Sequence, residues 1–221
     1  MRYALFFTPP QDHAVTRTAS KWLGRDAFTN ETISYPDRSE ALVSAPRKYG
    51  FHATLKAPFR LSATTSEAEL LSAVKDFSDQ QIPFEVALEV GQIGPFFALV
   101  EAETNETLSR HSQNVVQHFD PFRAPLRPDE MKRRKPETLS SRQRRYLERW
   151  GYPYVFEEFQ FHMTLTGPVG SSEADPIKTQ LKTLFDGLLT APMRIDALCV
   201  FVQPSPDAPF TVLQRSPFQG A

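Results

Sequence analysis

The sequence predicts an α+β fold assembled from one unit written twice. Three observations carry that expectation. The phrase F-H-x-T-L-x-x-P occurs as FHATLKAP at positions 51–58 and again as FHMTLTGP at 161–168. After each phrase the local patterns come in the same order: a histidine-bearing strand, a helix, then two strands. The spacing agrees as well, because His52 to Phe84 and His162 to Arg194 both span 32 positions, with Pro83 and Pro192 just before the strands so reached. Outside the phrase the halves share little identity, so the repetition lies in order and spacing.

Each element has a local reason. Tyr3–Phe7 is an apolar, β-prone run stopped by Thr8-Pro9-Pro10. Asp12 to Leu23 reads as a helix, with Asp12 as its cap and Gly24 closing it. Residues 25–50 carry Pro36, Pro46 and Gly50 and read as loop. Phe51–Leu55 is a strand ending before Pro58. Ser66–Phe77 is a helix: Ser66 caps it, Glu67 and Glu69 fill its first turn, and Leu70, Leu71, Val74 and Phe77 line one side. Phe84–Val90 and Phe96–Val100 are strands joined through Gly91 and a Gly94-Pro95 turn. Thr104–Phe119 suits a long helix, residues 120–141 are charged and broken by prolines, and Ser141–Trp150 is a short basic helix. In the second half, Asp175–Leu189 places Ile177, Leu181, Leu184, Phe185 and Leu188 at helical spacing. Met193–Val202 and Phe210–Leu213 are strands around the turn-rich Gln203–Pro209.

Composition narrows the class. Of 221 residues 40% are apolar and 12% aromatic, with 18 Phe against 9 Gly, which suits a packed core and excludes a disordered or fibrous chain. A formal net charge of −1 provides no global field toward nucleic acid or an anionic membrane. The single cysteine, Cys199, sits in the apolar run ALCVFV and reads as a small buried hydrophobe. It permits no internal disulfide, which fits a reducing compartment. Tyr3–Phe7 is too short for a signal-peptide apolar region and no later run approaches a membrane span, so the expectation is a soluble cytoplasmic protein with no membrane partner.

The repeated phrase carries the chemistry. Residues two apart on a strand share a face, so His52 goes with Thr54 and His162 with Thr164, while Phe51, Ala53, Leu55 and Phe161, Met163, Leu165 face the other way. The apolar face has a packing role; the polar face has none. Paired imidazoles can take a proton from an attacking oxygen and give one to a leaving oxygen, with threonine hydroxyls donating to phosphate oxygens. Such a site needs no metal and no cofactor, and it predicts a bell-shaped pH dependence. His13, His111 and His118 lack this context and read as surface or helix residues. His111 and His118 share a helix face without carboxylate or cysteine at metal-site spacing, which excludes a zinc site.

Two H-x-T motifs on strands of a duplicated unit resemble the 2H phosphoesterase superfamily. The stretch PRKYGFHATLKAPF (46–59), together with FHMTLTG (161–167), is similar to a bacterial branch associated with phosphonate metabolism. The resemblance covers nearly the whole chain. It implies one bilobal domain over 1–221, with lobes near 1–103 and 104–221 and strands open to exchange between them. Antiparallel sheets would flank a central cleft, with helices outside. It also implies a metal-independent phosphodiesterase that hydrolyses a small cyclic phosphate ester, such as a cyclic ribose phosphate from phosphonate degradation. His52 and His162 would then be the acid/base pair, and Thr54 and Thr164 would hold the phosphate.

Further candidates lie beside the motifs. Lys48, Tyr49 and Lys56 near the first, and Thr166 after the second, are candidate substrate contacts, Lys56 because it sits two beyond Thr54. Lys132 to Arg149 is densely basic and reads either as a solvated face or as an electrostatic lip. Tyr146 and Trp150, four apart on one helix face, keep RNA as a second choice of partner behind a small phosphorylated substrate. The alternatives are accordingly an RNA-processing 2′,3′-cyclic or 2′,5′-phosphodiesterase, or a non-catalytic nucleotide- or RNA-binding module.

Overall fold

A computed structural model describes residues 1–35 and 39–220. Pro36, one of the residues behind the loop expectation for 25–50, lies outside them. In chain order the elements are β1 (Arg2–Phe7), α1 (Ala14–Leu23), α2 (Glu40–Arg47), β2 (Ala53–Phe59), α3 (Glu67–Asp79), β3 (Phe84–Val86), β4 (Leu88–Ile93) and β5 (Phe96–Glu101). There follow α4 (Glu106–His118), α5 (Pro128–Arg133), α6 (Ser141–Trp150), β6 (His162–Thr164), α7 (Ser171–Phe185), β7 (Met193–Ile195), β8 (Ala197–Gln203) and β9 (Thr211–Pro217). Seven strands make one sheet in the order β4-β5-β6-β2-β1-β8-β9, and β3 and β7 pair separately as a ribbon. All the pairings are antiparallel.

The α+β class is as the sequence predicts, but the arrangement of the sheets differs from the expectation. The two phrases do not face each other from separate sheets. Their strands, β2 and β6, are neighbours in one continuous sheet, paired at Ala53↔Met163. Strands β4 and β5 follow the first phrase in sequence yet join the sheet beside β6, while β8 and β9 reach β2 through β1. The ribbon pairs Phe84 with Ile195 and Glu85 with Arg194.

Strand periodicity divides the core between the two sheet faces. Tyr3, Leu5 and Phe7 of β1, Ala53 and Leu55 of β2, Leu99 of β5, Met163 of β6 and Leu198 and Val200 of β8 join the main core with residues of α1, α3, α4 and α7. On the other face Ala4, Phe6, Cys199 and Phe201 gather with Ala27 and Phe210 into a smaller cluster, with Tyr49 packed against it. The helices thus cover mainly one face and leave part of the other open around β5, β6 and the start of β2.

Local signals explain most boundaries. Ser66 and Glu69 form a reciprocal capping box at α3, and Ser140 and Gln143 do the same at α6, which Gly151 closes in the left-handed conformation at φ 75°. α1 is capped by His13 rather than Asp12: its Nδ1 accepts from the Val15 amide at 3.3 Å. β2 runs through Pro58, past the expected end, because β6 pairs with it only at Ala53. Proline has no ladder donor to lose along that edge.

His111 lies on helix α4, as one of its two readings has it, but it is buried rather than at the surface. It is 5% exposed, ringed by Phe77, Phe84 and Phe218, and its Nε2 has no hydrogen-bond partner among the described residues. Burial pushes its pKa down to about 4. The unfolded chain, with histidine near 6.5, therefore binds the extra proton first, so His111 contributes stability above about pH 6.5 and loses it toward pH 4. Urea denaturation at pH 7 and 4.5 should show His111→Leu losing on the order of 2 kcal/mol less than the wild type over that interval. An equal acid loss in both proteins would show that His111 does not drive the acid destabilisation.

Candidate functional site

The open face of the sheet presents the two motifs side by side. His52 and Thr54 stand at the start of β2, and His162 and Thr164 on β6, all four half-buried. β6 also pairs with β5, through Val100↔His162 and Ala98↔Thr164. Each imidazole is oriented in the same way. His52 Nδ1 lies 2.9 Å from the Gly50 carbonyl, and His162 Nδ1 lies 2.7 Å from the Gln160 carbonyl. A carbonyl only accepts, so both Nδ1 atoms carry hydrogen and both Nε2 atoms are left for the site. His52 Nε2 is 3.3 Å from Thr54 Oγ1, whose hydroxyl can donate to it.

The surroundings of His52 fix its charge. Its ring stacks on Phe6 at 3.9 Å between centroids and against Tyr49 at 5.8 Å. Burial is the main cause that pushes its pKa down to about 4, with His162 and Arg25 adding positive potential and the Gly50 carbonyl opposing. His52 is therefore a neutral imidazole near pH 7. Arg25, itself buried, supports the arrangement from behind by donating to the carbonyls of Arg47, Lys48 and Phe210. Gly50 sits at φ +79°, and a Cβ there would lie 2.5 Å from the Ala27 Cβ, so the turn that supplies the His52 acceptor requires glycine.

Thr54, His162 and Thr164 open onto a cavity of about 430 Å³, walled also by Phe96, Tyr152, Tyr154, Phe159 and Gln160. Gln143 and Glu158 reach the same cavity. α6 is docked there by Arg142 and Gln143, which bond Glu158 at 2.6 and 2.8 Å, and by Tyr146 with Glu157. Apart from Phe96, the aromatic wall comes from residues 152–159, a stretch for which the sequence suggested no role. Its signal was present in the run YPYVFEEF directly before the second phrase.

The remaining sequence candidates separate. Lys56 turns away from the cavity. The β1–β2 register shifts between Leu5 and Phe6, and across that irregularity Leu55 and Lys56 are both buried, so simple alternation fails. Lys56 Nζ donates to the Val116 carbonyl at 3.1 Å and pairs with Asp120 at 3.2 Å. Burial pushes its pKa down to about 8, opposed by Asp120. Thr166 is fully buried, and its Oγ1 accepts from the Phe97 amide at 2.9 Å. Lys48 donates to the Pro206 carbonyl at 2.7 Å, and Tyr49 lies between His52 and Phe210. Of the basic segment, Arg133 pairs with Asp129, Arg142 with Glu158, and Arg149 with Asp120 at 3.7 Å. Among the described residues no group of three or more His, Cys, Asp or Glu side chains is placed to hold a metal ion. No helix among them is long and apolar enough to cross a membrane.

Fold and site together define an α+β protein with two histidine–threonine pairs on adjacent strands, three of whose four side chains line one cavity. The chain belongs to the DUF1045 family, described as a protein of unknown function, whose model matches residues 54–211. It is 37% identical over 99% of its length to a protein of Janthinobacterium sp. (strain Marseille) named ribose 1,5-bisphosphate phosphokinase PhnN, and covers 51% of that protein. A protein of the same name from Laribacter hongkongensis (strain HLHK9) is 32% identical over 95% of the chain, which covers 50% of it. The chain thus spans about half the length of these curated relatives.

These matches correct the functional expectation. The family is not the 2H phosphoesterase superfamily, and the relatives' name is that of a phosphotransferase, not a hydrolase of phosphodiesters. Cyclic phosphate hydrolysis, the RNA-directed phosphodiesterase and the non-catalytic module fall with it. The physical reason is that H-x-T specifies an arrangement, two imidazoles and two hydroxyls on one strand face. That arrangement does not say whether the accepting oxygen belongs to water or to another molecule.

Proposed function

We propose that this chain binds a phosphorylated ribose in the cavity lined by Thr54, His162 and Thr164, with His52 beside Thr54. It takes part in transfer of a phosphoryl group to that sugar from a phosphoanhydride donor, whose P–O bond breaks as the bond to the sugar oxygen forms. The observation that supports this most is the convergence of His162 and two threonine hydroxyls on one cavity of about 430 Å³, with His52 Nε2 held 3.3 Å from the Thr54 hydroxyl. The relatives' name, ribose 1,5-bisphosphate phosphokinase, supplies the substrate class. The sequence contains no G-x-x-x-x-G-K-S/T phosphate loop. Phosphate recognition in this chain is accordingly assigned to side chains.

In this reading Thr54 and Thr164 donate to phosphoryl oxygens, where charge gathers during transfer, and His162 Nε2 faces the same cavity. His52, neutral and aimed by Gly50, accepts a hydrogen bond or a proton from the oxygen that receives the phosphoryl group. Tyr152, Tyr154 and Phe159 offer faces for the apolar side of the sugar. The shared order of elements after each phrase, and the pairing of β3 with β7, support reading the chain as one domain of two interleaved copies of a unit, with halves near 1–103 and 104–221. Calorimetric titration with ribose 1,5-bisphosphate tests the binding step. Wild type should bind, and Thr164→Val should weaken binding about tenfold, the loss expected from one charge-assisted hydrogen bond. Absence of binding to the wild type would overturn the reading.

A further inference from the structure

Beside the histidine cavity lies a second one, of about 170 Å³, walled by Arg2, Tyr49, Pro58, Leu126, Glu130, Arg133 and Arg134. Tyr49, in its wall, stacks on His52, and one contact joins this second cavity to the histidine cavity. Arg134 lines the second cavity and lies over the ring of Tyr152, 5.1 Å from the centroid, while Tyr152 is a wall of the histidine cavity. The two cavities therefore meet at the Arg134–Tyr152 contact. On the assumption that the first cavity holds a phosphorylated sugar, we propose that the second takes another phosphate group of the same molecule. The ligand class is then a sugar carrying two phosphates at opposite ends.

Charge supports the assignment. Arg134 is half-buried and has no carboxylate within ion-pairing distance among the described residues. Stacking on Tyr152 holds its guanidinium by the face and leaves its N–H edges for a bidentate acceptor. Arg2 spends its guanidinium on a neutral partner, Gln203 Oε1, so its charge also remains uncompensated. Arg133 is tied to Asp129 at an exposed position, where a pair is worth only about 0.2–1 kcal/mol and yields readily to a phosphate. Glu130 is the one carboxylate in the wall, and Arg60 binds both its oxygens at 3.0 Å. That hydrogen bonding holds its pKa down to about 2 and leaves little net repulsion for an anion.

Titrations of ribose 5-phosphate and ribose 1,5-bisphosphate against wild type, Arg134→Gln and Arg134→Lys separate this inference from the reading it rests on. Wild type should bind both sugars and prefer the bisphosphate at least tenfold. Arg134→Gln should abolish most of that preference while leaving the monophosphate affinity within twofold, and Arg134→Lys should keep part of it. A preference that survives in Arg134→Gln, or an equal loss for both sugars, would overturn the second subsite and leave the histidine cavity standing. Failure of wild type to bind either sugar would overturn both.

Discussion

On the proposed function, replacing His52 with Gln should slow phosphoryl transfer to ribose 1,5-bisphosphate by about 10²–10⁴-fold, the usual contribution of a positioned proton-transfer group. Binding of the sugar should change only a few-fold, because glutamine retains a hydrogen-bonding end. The pH profile carries a second signature. An ordinary histidine as proton acceptor gives the rising limb of the expected bell near pH 6.5, but burial places the His52 limb near 4. With His52 as the acceptor of the proton, the rate should stay level as pH falls from 7 to about 5.5 and drop only nearer 4. Rates followed by phosphorus NMR across that range would show this directly. A half-maximal point near 6.5 that vanishes in His52→Gln would mean that the imidazole is hydrated and ordinary.

The largest stability effect is expected at Asp120. Its side chain is 13% exposed and gathers Lys56 at 3.2 Å, Arg123 at 2.9 Å and Arg149 at 3.7 Å. Burial pushes its carboxyl up, but the Arg123 hydrogen bond and the Lys56 charge outweigh it and hold its pKa below the usual range. Asp120→Asn leaves the Lys56 ammonium, 4% exposed, without a counter-charge. Breaking a buried pair from one side costs about 3–5 kcal/mol. Lys56 can shed its proton, since its pKa is already about 8, which places the expected loss toward the lower end. Lys56→Met should cost less, because the remaining carboxylate keeps two arginines. Urea unfolding of the two variants would check the order, and a larger loss in Lys56→Met would reverse the account of which charge holds the cluster together.

Where local chemistry is strong, the elements could be read from the chain. Ser140 before a basic amphipathic stretch and Gly151 after it mark α6, and Ser66 with Glu69 marks α3. α2 was not legible, because Pro46 in its last turn and the polar composition around it resemble a loop. The split of Phe84–Val90 into β3 and β4, and of Met193–Val202 into β7 and β8, depends on a pairing between distant halves that no local pattern encodes. The site shows the same division. Period-two alternation placed His52 with Thr54 and His162 with Thr164, since it needs only an extended backbone. It failed one residue pair further on, at Lys56, where the ladder slips. Nor could the two phrases by themselves reveal that residues 152–160, which run into the second of them, supply much of the cavity wall. The reaction class was least legible, because His and Thr at this spacing describe donors and acceptors and leave the accepting molecule open.

The single pairing of Ala53 with Met163 has a mechanical consequence. Elsewhere the sheet is held by long ladders, such as Leu88↔Glu101 to Ile93↔Phe96 on one flank and Arg2↔Gln203 to Phe6↔Cys199 on the other. Between those flanks the fabric is stitched at one point, and the two imidazoles ride on opposite sides of the stitch. The distance between His52 and His162 is thus governed by the most compliant join in the sheet. A ligand bridging both sides works as a splint, stiffening the molecule along the one line where the backbone leaves it slack.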